Sequence, residues 1–195
     1  MFVLAFIVAS LPACAPTLVS QTQQLPTPAR PMQRVVVILN DEVYSNLTLH
    51  SSGMSYIHDL RDAIKSQFEA QGITVQVVET NSTDLSNGVG RAIAQIRPTH
   101  VLRLHVVQMS QMSRSIAPYQ AHWMFDVEQE DLDATTSTAL QAQGKQVHRF
   151  KSIYRARYSV PACVPLVTIP NMQQTCTGKL VAQFMEDTHR VGLSG

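Results

Sequence analysis

Three kinds of side chain in this sequence could do chemistry: thiols, a row of cations and scattered histidines. The thiols are Cys14, Cys163 and Cys176, and twelve residues, Pro165 and Pro170 among them, separate the last two. In an oxidising compartment a disulfide between Cys163 and Cys176 would contribute about 3 kcal/mol by constraining the unfolded chain. Two free, half-buried thiols are the alternative, and a zinc site is the weaker reading because no C-x-x-C spacing accompanies the pair. Arg149, Lys151, Arg155 and Arg157 recur at odd positions of one segment, so an extended chain sets them on one face. There they could bind a phosphate, a lipopolysaccharide or a peptidoglycan carboxylate. The seven histidines form no H-E-x-x-H or H-x-H pattern, and His100 and His105 fall on opposite faces of a strand, so no metal is expected. Asn87-Gly88-Val89-Gly90-Arg91 lacks the third glycine of a phosphate-binding turn and reads as a helix entry. No G-x-S-x-G elbow or cysteine-protease signature occurs, so neither an enzyme nor a cofactor is expected. A small enzyme or a solute binder is the competing class, and either would need a concave pocket with converging polar groups.

The N-terminus explains the odd cysteine. No charged side chain precedes Arg30, and Met1 to Leu11 is almost wholly apolar. That run is shorter than the ~20 residues of a membrane span and fits the ~7–15-residue apolar region of an export signal. Leu11-Pro12-Ala13-Cys14 resembles the lipobox of bacterial lipoproteins, an aliphatic, a variable and a small residue before the cysteine. The resemblance implies that the Cys14 thiol receives a diacylglyceryl group, that residues 1–13 are removed, and that the lipid makes the membrane a partner. It also implies, because Ala15 stands where a retention signal would place Asp, an outer-membrane protein facing the periplasm. Ala13-Cys14-Ala15 has the A-x-A form of an ordinary secretory site as well, which would release a soluble secreted or periplasmic protein; a retained anchor or a buried first helix is the third reading.

Residues 14–33 hold Pro16, Pro26, Pro28 and Pro31 among Gln, Thr and Ser, with no hydrophobic period. They read as a disordered tether whose nineteen residues after Cys14 reach roughly 25 Å. Residues 34–195 are long enough for one domain with its own core. Val35 to Leu39 is a continuous apolar run of the kind buried on both faces of a sheet. Ile57, Leu60, Ile64 and Phe68 recur at helical spacing, and Gly72 stands where a left-handed stop belongs. Ile73 to Val78 is a second strand, parallel to the first through a right-handed crossover. Val89, Ala92, Ile93 and Ile96 mark a helix ended by Pro98, and residues 100–109 a strand. Leu180, Val181, Phe184, Met185 and Thr188 share the stripe of a last helix closed by Gly192.

Between them lie two alternating segments. Trp123, Phe125 and Val127 alternate with His122, Met124, Asp126 and Glu128, and Phe150, Tyr154, Ala156 and Tyr158 alternate with the cationic row. Antiparallel pairing would set Asp126, Glu128 and Glu130 across from Arg149 to Arg157, at about 0.2–1 kcal/mol per good pair. That pairing competes with anion binding for the same arginines. The order is βαβαβββα, an α+β domain with helices packed on a mixed sheet. In element order it resembles small periplasmic lipoproteins that assist envelope assembly, including curli-secretion and penicillin-binding-protein-activator types.

The net charge of +1, from 15 basic and 14 acidic residues, leaves no field to draw in nucleic acid. The expectation is therefore a lipid-anchored envelope protein that binds a protein or cell-wall partner without chemistry. Its partner surface is expected at the 131–145 and 163–176 loops.

Overall fold

A computed structural model of the chain describes residues 15–26, 30–40, 50–80, 85–110, 120–131, 149–161 and 172–195. Six strands form one mixed sheet: β1 (Thr17–Gln23), β2 (Arg34–Asn40), β3 (Thr74–Thr80), β4 (His100–Ser110), β5 (Gln120–Glu130) and β6 (Phe150–Pro161). Three helices accompany it: α1 (His50–Ala70), α2 (Leu85–Ile96) and α3 (Met172–Arg190). The spatial order is β1-β6-β5-β4-β2-β3. β2 runs parallel to both β3 and β4, and β4, β5, β6 and β1 follow one another antiparallel. From β2 onward the expected βαβαβββα order stands.

Each element is explained by what it buries. Val35 to Leu39 on β2 are buried on both faces, as a central strand between two parallel neighbours requires. The larger core lies under α1 and α3, where Leu60, Ile64, Phe68, Phe184, Trp123, Phe125, Tyr154 and Tyr158 are fully enclosed. The smaller one lies on the opposite face, where Val36, Ile38 and Val101 meet Ala92 of α2. Gly88 lets α2 come close, since a Cβ there would stand 3.3 Å from a Val78 methyl. Helices α1 and α3 end alike. Gly72 and Gly192 both take positive φ, and the residue after each donates its amide back to Phe68 and Thr188 respectively, closing the last turn as a Schellman motif does. α3 is further tied to the sheet by a buried bond, Tyr158 Oη donating to Asp187 Oδ2 at 2.7 Å. Burial and that bond push the Tyr158 hydroxyl well above its ordinary range, so it stays protonated.

Four expectations need correction. First, the disordered tether is interrupted: Thr17–Gln23 is strand β1, paired antiparallel with Tyr154 to Ser159 of β6. Its seven residues are exposed on both faces, so no hydrophobic period announces it; main-chain hydrogen bonding to a vacant strand edge holds it instead. Second, β6 carries one extra residue opposite β5, because Val127 faces Tyr154 while Glu128 faces Ser152. This bulge at Ile153 reverses the alternation. Phe150, expected beside Tyr154, packs instead with the Val36 and Ile38 cluster. Third, the last helix starts at Met172, so Cys176 lies inside it, fully buried, rather than at the end of a loop. Fourth, Gly88 and Gly90 sit within α2 rather than in a turn before it.

Candidate functional site

α2 covers β2, β3 and the start of β4 at Val101. On that same face the side chains of β4, β5 and β6 meet solvent, and strand alternation assembles them into rows. One row is Arg103, Asp126, Arg155 and Thr22; the next is His105, Met124, Arg157 and Ser20; a third is Gln108, His122, Ser159 and Thr17. These positions follow from the registers of four strands, so the surface is as rigid as the sheet beneath it.

Asp126 is the centre of this face. It is 7% exposed and accepts Ser152 Oγ at 2.5 Å and Arg155 Nε at 3.0 Å, with Arg155 Nη2 at 2.5 Å. A buried carboxylate demands such donors. Of the three acidic residues expected to face arginines on β6, Asp126 alone does so. Glu128 stands across from Ser152 and bonds Arg103 on β4 at 2.8 Å, and the Ile153 bulge sets Glu130 across from Phe150 in place of Lys151. Arg157 is half-buried and donates to Gln108 Oε1 at 3.0 Å. Burial lowers the pKa of His105, Asp126 partly offsets it, and Arg155 and Arg103 add to the depression. Burial and then Arg157 lower that of His122. Both rings are therefore neutral at pH 7, and the face presents paired charges around two uncharged imidazoles.

Asp126→Ala is expected to destabilise the fold by about 1–3 kcal/mol, since it strips Ser152 and Arg155 of their shared acceptor. The low end is favoured because half of the Arg155 side chain is in water. Urea titration checks it, and a change below about 0.5 kcal/mol would place Asp126 among ordinary surface residues.

The sequence-derived site residues separate in space. Arg155 and Arg157 lie on the open face. Lys151 and Arg149 lie at the other end of β6, where the segment after β1 crosses beneath the sheet. There a polar cleft of about 540 Å³ is bordered by Gln24, Leu25, Arg30, Glu130, Asp131 and Lys151. It carries both signs of charge and opens widely to solvent. The four cations are thus two pairs at different places, again because of the bulge. His100 and His105 do lie on opposite faces of β4, His100 completely buried and His105 half-exposed. Among the described residues no three His, Cys, Asp or Glu side chains come together in a metal-binding arrangement. Cys14, Cys163, most of the 131–145 loop and residues 163–171 lie outside the described residues. Ser152, which bonds Asp126, and Arg103, which bonds Glu128, are not legible in the sequence, because their contacts depend on neighbouring registers, whereas Asp126 is legible from its place in the alternation.

No family model matches the chain, and no curated protein matches it. Solved structures similar to it include a PelC dodecamer from Paraburkholderia phytofirmans, at 14% identity over 86% of this chain and 95% of that one, with a TM-score of 0.42. A minor lipoprotein from Acinetobacter baumannii is similar at 13% identity over 84% and 98%, with a TM-score of 0.32. Lipoprotein GNA1162 from Neisseria meningitidis is similar at 13% over 81% and 99%, with a TM-score of 0.35. Likenesses this distant assign nothing to any residue of this chain.

Proposed function

We propose that this chain is a lipid-anchored protein of the bacterial envelope, held through Cys14, whose folded domain acts as a non-catalytic binding or assembly module for a protein or cell-wall partner. One observation carries the reading: an uncharged apolar run ends in Leu11-Pro12-Ala13-Cys14. Ala15, standing where a retention signal would put Asp, supports an anchor in the outer membrane with the domain in the periplasm. The open face of β4, β5 and β6 supports a macromolecular partner over a small solute. It is broad, set with mutually paired ions, and backed by a rigid sheet, whereas a solute site is concave and mostly apolar.

Cys14→Ser is expected to move the protein from the membrane fraction to the soluble fraction, because the lipid supplies the attachment. Fractionation of cells expressing the full chain checks this, together with intact mass before and after reduction and thiol alkylation. A mature chain beginning at an acylated Cys14, with two alkyl adducts appearing only after reduction, supports the anchor and a Cys163 to Cys176 disulfide together. A chain beginning at Met1 or Pro16 removes the anchor and the reading with it.

A further inference from the structure

We infer that the end of the sheet carrying Thr17, Leu18, Val19 and Val107 rests on the bilayer surface, with the opposite end, at Arg34, His100 and Lys151, directed away from it. The inference rests on the proposed acylation of Cys14 and goes beyond it, because an anchor alone sets no orientation.

The first argument is length. A nineteen-residue tether would leave the domain free to tumble roughly 25 Å from the lipid. Strand β1 removes that freedom: only Ala15 and Pro16 separate Cys14 from Thr17, which is hydrogen-bonded into the sheet beside Ser159. Even fully extended, so short a link spans roughly 10 Å. The lipid-bearing residue is thus confined to one corner of the domain.

The second argument is the chemistry of that corner. The exposed large apolar side chains among the described residues are Leu18, Val19 and Val107. All three fall at this end. Leu18 shares a row with Tyr158, Trp123 and Val106, Val19 is the bulge that follows it, and Val107 is the bulge between Val106 and Gln108. The rows from there to the sheet's limit are Gln108, His122, Ser159 and Thr17, then Met109, Ala121 and Val160, then Ser110, Gln120 and Pro161. None of these residues is Asp, Glu, Lys or Arg, so nothing in the rows repels a lipid phosphate. The helices agree. Since β2, β3 and β6, the strands that lead into α1, α2 and α3, all run toward this end and the helices run back from it, the positive ends of three helix dipoles face the same way, with no acidic residue in any first turn. Scattered apolar contacts, uncharged rows of β1, β4, β5 and β6 among the described residues, and positive dipole ends suit the headgroup layer of an anionic membrane.

The test places one added tryptophan at each end of the full chain, Val107→Trp and Lys151→Trp, both at exposed positions. β4 spans about 20 Å between the two levels. Each chain is isolated in its mature form, its mass taken, and reconstituted into phosphatidylethanolamine and phosphatidylglycerol vesicles containing headgroup-nitroxide lipid, with the Trp123 signal of the parent chain subtracted. Urea midpoints confirm that both variants are folded. The expected result is that the Val107→Trp signal loses more than half its intensity while the Lys151→Trp signal is nearly unchanged. Equal quenching on chains whose mass shows an acylated Cys14 overturns the orientation and leaves the anchor standing. Chains without the acyl groups overturn the anchor, and the orientation with it.

Discussion

Phe184→Ala is expected to destabilise this domain by about 3–5 kcal/mol, a large share of the stability of any single domain. Phe184 is fully buried on α3 and touches aromatic rings from three other elements. Its ring stacks on Phe125 of β5 at 4.5 Å between centroids, lies 6.4 Å from Phe68 of α1, and meets Tyr154 of β6 tilted at 55° and 6.4 Å. Truncation removes the transfer energy of the ring and leaves a cavity whose walls belong to separate elements. Those walls cannot collapse together without disturbing the sheet, which puts the loss in the upper part of the range for buried aromatics. Phe184→Leu fills most of the space and should cost about 1–2 kcal/mol. Urea denaturation of both variants, with the disulfide state held the same, reads the two midpoints. Equal losses would show that contact geometry matters little there, and a loss below about 1 kcal/mol for alanine would show that the cluster repacks.

The second large effect is a loss of stability in mild acid traceable to His100. Its ring is completely buried, with Nδ1 3.0 Å from Thr99 Oγ1 and Gln129 opposite it in register on β5. Burial is the main cause, and the charge of Arg30 the next, that push its pKa from 6.5 down to about 4. The native protein therefore keeps this ring neutral where the unfolded chain protonates it. Between those two values the unfolded state holds the extra proton, so stability rises with pH. It is complete above about pH 6.5, falls as the pH drops toward 4, and levels off below, for a total near 3 kcal/mol. His105 and His122, also lowered by burial, add smaller changes of the same sign. His100→Gln should flatten the greater part of the slope. Urea midpoints measured from pH 4 to pH 7 check it, and parallel curves for the two proteins would sink the assignment.

What was legible in the sequence is what burial writes into it. Val35 to Leu39 are enclosed on both sides, and the stripe from Ile57 to Phe68 faces one core, so both appear as runs or periods of apolar residues. The stops at Gly72 and Gly192 were legible because only glycine takes those φ values without strain. β1 left no such trace, being an edge strand open on both faces and held by its backbone. The bulge at Ile153 left none either. An extra residue changes which face every following side chain occupies without changing composition, so the cations at 149 and 151 parted from those at 155 and 157 unannounced. The candidate face was half legible for the same reason: Asp126 and Arg155 lie on the near side of the bulge, Glu128 and Glu130 beyond it. Cys14 stands apart from all this, since its proposed chemistry rests on the residue types beside it in the sequence and on no feature of the fold.

The pairing of β1 with β6 also has a bearing on biogenesis. The two strands lie far apart in the chain, Thr17 against Ser159, so this ladder forms only after most of the polypeptide has been made. Until then β1 has no strand to pair with, and its seven exposed residues have no other hold on the domain. The same seven residues are thus unpaired chain early in synthesis and a seam of the sheet once it is complete.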